Sequence, residues 1–290
     1  MDTEEHYHQV NGMTLHTVEA GDKEGEPILF LHGFPEFWHG WKNQFSFFAQ
    51  RGYRVIMPDQ RGYNLSSKPP GTRPYCLQHL VADIVALISR LGNRKPILVG
   101  HDWGGVVAWQ LAMHHPQLLQ QLVIINMPHP DVFHQTLKKN IVQMARSSYA
   151  AFFQLPFLPE WLSRIFCFAL LERSMLKSSK NGAFSKEDMD AYKRAWQQPH
   201  ALTAMINWYR AYKYNTLSSA GMIDLPTLLI WGKQDRYLLP QMAQQSIDRC
   251  LNGKLVMVED ATHWVHHEQP QLVNTHIHQF ITRHYTGKGG

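Results

Sequence analysis

An α/β fold built on a mostly parallel central sheet flanked by helices is what this sequence predicts, and three observations carry it. Short apolar runs at 27–33, 53–59 and 96–102 each end in polar or glycine turns, as strands buried on both faces do. The stretches between them, including 80–92 and 106–115, repeat apolar residues at i, i+3, i+4 and i+7 and stop at Gly or Pro, the pattern of core-facing helices. A fourth run, at 121–128, continues the alternation, and two more, at 225–232 and 254–260, resume it after a long interruption.

That interruption, 131–218, holds no β-branched strand run and is punctuated by Pro156, Pro159 and Pro199. It predicts a helical cap inserted after the sixth strand, over the carboxyl edge of a core formed by 1–130 and 219–290. The segment is rich in Tyr149, Phe152, Phe153, Phe157, Trp161, Phe166, Phe168, Trp196, Met205, Trp208 and Tyr209. Singly these are expected to form the cap's own core, and together an apolar pocket wall.

Bulk properties exclude several classes. A chain of 290 residues, 44% hydrophobic and 18% charged, can bury a large core and is not of disordered type. The net charge of +5 comes from scattered Lys and Arg with no basic arm, so no nucleic-acid partner is expected. Cys76, Cys167 and Cys250 form no CxxC pair and have no His at zinc-ligand spacing, so neither a disulfide framework nor a metal or cofactor is expected. A reducing cytoplasm fits them. The N-terminus is polar and acidic, and no uncharged apolar run approaches ~20 residues, so no secretion signal, membrane span or membrane partner is expected.

The chemistry is concentrated in a few short motifs. Val99 to Gly105 reads VGHDWGG between a strand and a helix. A nucleophile on such a turn is held in a strained conformation with its neighbours closely packed, which calls for small residues at Gly100 and Gly104. Asp102 would stand at the apex, beside a helix N-terminus that favours a carboxylate. Asp235 and His263 each follow a strand end further on, in the order nucleophile, acid, base, with Asp260 and Asp131 as alternative acids. His266 and His267 are expected to begin the final helix and point elsewhere. After the first parallel strand, His32-Gly33-Phe34-Pro35 makes a sharp turn that can aim an amide into the site. Phe34 and Trp103 are therefore the expected oxyanion-hole amides, Pro35 shapes the loop, and His32 braces it.

HGFPEFWHGW, DQRGYNLSSKP, GHDWGG, SSYAAFFQLP, NWYRA and DATHW resemble the epoxide hydrolases of the α/β-hydrolase superfamily, the soluble bacterial type above all. The resemblance runs from the first strand to the terminal helix. It implies the α/β-hydrolase fold and the conversion of a small lipophilic epoxide and water to a vicinal diol, a detoxification chemistry, in a monomer or homodimer. It also implies two ring-opening tyrosines, one near each end of the cap. Tyr149 and Tyr209 match them, with Tyr212 and Tyr214 as substitutes for the second. Pro35, Met127, Phe153, Trp208 and Trp264 are the expected substrate contacts. Haloalkane dehalogenases share the Asp nucleophile and the HG-x-P turn, and a ligand receptor on the same scaffold is a further alternative. A fluoroacetate-type dehalogenase would want a cation beside the nucleophile, where Trp103 and Gly104 stand instead.

Overall fold

The computed structural model describes residues 3–92, 94–215 and 221–285. Eight strands form one sheet: β1 (Glu4–Val10), β2 (Met13–Gly21), β3 (Pro27–Leu31), β4 (Arg54–Pro58), β5 (Ile97–His101), β6 (Gln121–Ile125), β7 (Thr227–Gly232) and β8 (Gly253–Val258). Their order is β1-β2-β4-β3-β5-β6-β7-β8, with β1 and β2 antiparallel and the other six parallel. No apolar run locates the hairpin of β1 and β2, because β1 is half exposed and β2, though mostly buried, interleaves its apolar residues with Thr14, His16, Thr17 and Glu19. Its turn nevertheless has a local signature, Asn11-Gly12, with both residues at positive φ as a two-residue hairpin loop requires.

Every residue of β3, β5, β6 and β7 is buried. Alternation then divides each strand between two core layers. Leu29, Leu31, Ile56, Leu98, Leu122 and Leu229 face one, whereas Ile28, Phe30, Val55, Ile97, Val99 and Val123 face the other. Helices α1 (Lys42–Ala49), α2 (Leu77–Ser89) and α3 (Trp103–His114) connect the early strands. Strand β3 has β4 on one side and β5 on the other, so the chain reverses its direction of travel across the sheet there. A crevice opens at such a switch point, beyond the carboxyl ends of β3 and β5.

Among the described residues, seven α-helices stand between β6 and β7: α4 (Pro130–Lys139), α5 (Ile141–Arg146), α6 (Ser148–Phe152), α7 (Leu158–Ile165), α8 (Ala169–Ser178), α9 (Lys186–Trp196) and α10 (Ala201–Ala211). This is the helical insertion expected after the sixth strand; its boundary at 218–219 lies outside the described residues. The chain closes with α11 (Gln241–Ile247), α12 (Val265–Glu268) and α13 (Pro270–Tyr285). Side-chain donors tie the insertion to the core. Trp196 Nε1 donates to the Pro35 carbonyl at 2.6 Å, Trp208 Nε1 to the Arg61 carbonyl at 2.9 Å, and Arg146 to the Asp235 carbonyl at 2.8 Å. The expected internal core holds for Phe168, Trp196, Met205, Trp208 and Tyr209 but not for Phe157, Trp161 and Phe166, which are 82%, 57% and 52% exposed. Helical periodicity locates an apolar face without saying whether that face meets the protein or the solvent. Among the described residues, no helix is long and apolar enough to cross a membrane.

Candidate active site

Asp102 occupies the turn between β5 and α3 at φ 48°, ψ −122°, a conformation that L residues rarely adopt. The two glycines around it follow from contact. A Cβ on Gly104 would collide with the Leu31 carbonyl, and one on Gly33 would collide with the Asp102 side chain itself. Tight packing thus brings the β3 loop against the candidate nucleophile, and the Phe34 amide donates to Asp102 Oδ1 at 2.8 Å. Trp103, whose amide is the second expected donor, opens α3. His32 is fully buried and braces the same loop: its Nε2 accepts from the Gln60 amide at 3.1 Å, and its carbonyl accepts from Gln60 Nε2 at 2.6 Å.

His263 lies 3.6 Å from Asp102 Oδ2 through Nε2, and its Nδ1 donates to Asp235 Oδ2 at 2.8 Å. Asp235 is fully engaged. Its Oδ1 accepts from the Tyr237 and Leu238 amides at 2.7 and 3.0 Å, and its Oδ2 also accepts from Asn126 at 2.8 Å. Burial alone would push the His263 pKa down, but Asp235 and Asp102 outweigh it and hold the imidazole well above its ordinary value. At Asp102, burial pushes up, while His263, His101 and the Phe34 amide prevail and hold the carboxyl below its usual range.

Two cavities meet at this group. One, of about 370 Å³, is lined by Trp103, Val106, Met127, Phe133 and Tyr212; the other, of about 220 Å³, by Phe34, Pro35, Phe153, His263 and Trp264. Asp102, Tyr149, Tyr209 and Tyr237 belong to both. The Tyr149 and Tyr209 rings stand 5.8 Å apart, and burial together with the nearby Asp102 charge raises both phenols above their ordinary pKa. They are neutral hydroxyl donors at neutral pH.

Most expected residues therefore converge, and the exceptions have physical reasons. Trp208 lines neither cavity; it is 1% exposed, packed behind Trp103 with its indole nitrogen committed to Arg61. Asp260 is exposed and paired with Lys180, and Asp131 sits in the first turn of α4, so neither meets His263. Tyr214 is 44% exposed. His266 and His267 lie in α12, one element before the final helix, and both are buried against Glu36.

Glu36, Tyr237 and Asn126 are what sequence reasoning missed. Tyr237 packs its ring 5.2 Å from His263, and its hydroxyl donates to Ser178 at 3.0 Å. Glu36 Oε1 accepts from His267 Nε2 and the Tyr192 hydroxyl, each at 2.7 Å. His101, beside Glu36 through Nδ1, donates through Nε2 to the His263 carbonyl at 3.0 Å, so a buried polar network underlies the candidate base. The signal was a lone carboxylate in the apolar run FPEFWHGW, which a buried loop can hold only if it is paired. Glu36, His266 and His267 bring ligand-type atoms within 4.8 Å of one another, but none of the three lines either cavity.

A model of the α/β-hydrolase fold matches residues 26–270. The AB hydrolase superfamily protein YfhM of Bacillus subtilis (strain 168) is 45% identical over 93% of this chain and 95% of its own length. Epoxide hydrolase 4 of Mus musculus is 36% identical over 93% of this chain and 77% of its own. Among solved structures, the Bacillus megaterium epoxide hydrolase in complex with an inhibitor superimposes with a TM-score of 0.87 at 32% identity, covering 96% of this chain and all of the other. With the strained turn at Asp102, the sheet order and these likenesses together, the chain belongs to the epoxide hydrolases of the α/β-hydrolase superfamily.

Proposed function

We propose that this epoxide hydrolase works through a transient alkyl ester on Asp102, under a cap formed by residues 131–218 on a core of 1–130 and 219–290. The observation that carries the reading is the division of labour at one carboxylate. Oδ1 rests on the Phe34 amide while Oδ2 faces the cavity junction and His263. Oδ2 attacks a ring carbon, the carbon–oxygen bond of the epoxide breaks, and the departing oxygen takes a proton from Tyr149 or Tyr209. An unprotonated alkoxide leaves poorly, so two phenols at the junction suit an epoxide and are needless for a halide. That favours the epoxide over a dehalogenase reaction, and an intact triad disfavours a receptor that has lost turnover.

Esterification removes the Asp102 charge, and two shifts follow from its position. The phenols, whose pKa that charge helps to raise, become stronger acids as the ring oxygen needs its proton. His263 loses one of the two carboxylates that raise its own pKa, and so moves toward the neutral form that can take a proton from water. Water then attacks the ester carbonyl, the oxyanion forms on Oδ1 at the amides of Phe34 and Trp103, and the diol leaves. The apolar walls of both arms suit a lipophilic epoxide carrying a larger and a smaller substituent.

A His263→Gln variant mixed with epoxide should accumulate the ester, read by mass spectrometry as an Asp102 peptide heavier by one substrate. In a single turnover of the unaltered enzyme in heavy-oxygen water, the label should enter the Asp102 side chain before it enters diol. A first-turnover diol carrying the label, with no adduct in the variant, would make water the direct attacker and end this reading.

A further inference from the structure

The insertion exposes apolar surface in the wrong places for a helix packed in water. Amphipathic helices turn their apolar stripe to the core, yet α7 does the reverse. Its buried residues are Pro159, Glu160 and Ser163, with Glu160 paired to Arg210 at 2.6 Å, while Leu158, Trp161 and Ile165 point outward at 39%, 57% and 49% exposure. Helix α5 repeats the inversion: Gln143 is buried, donating to the Tyr237 carbonyl at 2.8 Å, and Ile141 is 78% exposed. Thirteen of the eighteen large apolar side chains that remain exposed among the described residues lie between 141 and 176, and nine of these thirteen line neither cavity. Scattered singly they would mean little; gathered on one insertion they mark a surface that meets something.

Charge decides what that is. Lys138, Lys139, Arg164, Arg173 and Lys177 are exposed and carry no ion pair among the described residues, whereas Glu160 and Glu172, the two carboxylates of 138–177, are both paired. On α8, Leu170, Arg173, Leu176 and Lys177 stand opposite the buried Leu171, Met175 and Ser178, so leucines and cations alternate on its outer side. Apolar residues with an indole among them, interleaved with unpaired cations, fit a layer of acyl chains beneath anionic headgroups. We propose that the outer face of α5 to α8 docks peripherally on an anionic lipid bilayer. The sequence expectation of no membrane partner rests on the lack of a spanning run, which bears on crossing a bilayer and not on lying against one. Phe152 and Leu170 are partly exposed on this face and also line the smaller cavity. Given the reading of Asp102 above, they make an apolar entrance through which a lipophilic epoxide passes from the bilayer to the nucleophile.

The test is co-sedimentation of the full chain with vesicles of phosphatidylcholine alone or with about 30% phosphatidylglycerol, a charge density that a polybasic face senses. Binding is expected to the anionic vesicles and to fall steeply at roughly 0.5 M salt, where the Debye length is a few ångströms. Each cation near such a surface is worth roughly fivefold in affinity, so Arg173→Glu with Lys177→Glu should lower binding at least about 25-fold. Phe157→Ser with Trp161→Ser, which removes two interfacial aromatics, should lower it about tenfold or more. Turnover of a water-soluble epoxide should be unchanged in both variants, so loss of docking and loss of chemistry read out separately. No binding to the anionic vesicles, or binding by both variants equal to that of the unaltered chain, would overturn the proposal. A concentration-dependent dimer in ultracentrifugation that the serine variant abolishes would also overturn it, by giving the face to a second copy.

Discussion

At the level of single residues, the site depends on positions where no side chain fits. Gly33 is the sharpest case, because a Cβ there would press on Cβ and Oδ1 of Asp102, the oxygen that the Phe34 amide holds. Gly33→Ala should displace the carboxylate from its donor and lower kcat/KM by at least about 10²-fold, as loss of one oxyanion contact does. Overpacking of this kind costs about 1–3 kcal/mol of stability, so the fold should persist in a denaturant titration. Activity within threefold of the unaltered enzyme would mean that the loop yields without cost. Asn126 illustrates a different dependence: held at φ 43°, it bonds Asp235 and the Gly232 amide at once, and so fixes the acid against β7.

Among the elements, α10 does two jobs with adjacent residues. Tyr209 faces the cavities, whereas Trp208 turns away, stacks edge-on against Tyr63 and Trp103, and donates to Arg61. Trp208→Phe leaves the Arg61 carbonyl without that donor and opens a small void, which should cost about 2–4 kcal/mol. The checks are a thermal melt lowered by several degrees and a KM within about twofold of the unaltered value. A KM raised tenfold with an unchanged melt would return Trp208 to the substrate wall. Helices α5 and α7 show how weakly periodicity alone constrains orientation: Gln143 and Glu160 lie inward because each finds a polar partner there, the Tyr237 carbonyl in one case and the Arg210 guanidinium in the other.

For the whole molecule, buried neutral histidines should set the response to acid. His129, 1% exposed, caps α4 by accepting the Asp131 amide at 3.2 Å, and burial lowers its pKa to about 4. A folded value below the unfolded one, near 6.5, means that the stabilisation is present above pH ~6.5 and is lost as pH falls toward about 4. The full span is worth about 3 kcal/mol at 1.4 kcal/mol per unit. His129→Asn keeps an acceptor suited to an N-cap but cannot titrate. Urea unfolding at pH 7 and pH 4.5 should show a smaller loss of stability in the variant; an equal loss would assign the acid sensitivity elsewhere, with the buried His32 and His266 next in line.

What the sequence determined by itself was everything carried by local pattern. Buried parallel strands announce themselves as apolar runs, and a strand-to-helix turn framed by glycines announces a residue in strained backbone, here Asp102 at φ 48°. Asp235 and His263 were sought at strand ends, because the carboxyl edge of a parallel sheet gathers the loops that follow its strands, although Asp260, at the same edge, turns out to solvent. The first hairpin was legible only in Asn11-Gly12, since β1 is half exposed and neither strand carries an unbroken apolar run. Tertiary structure alone decided whether an aromatic faces inward or outward. Periodicity is unchanged by rotating a helix about its axis, so Trp208 behind the cavity and Trp161 in solvent looked alike as letters. The same holds for the network of Glu36, His101 and His267: its members lie far apart in the chain, and a carboxylate reveals its partners only when folding brings them within hydrogen-bonding reach.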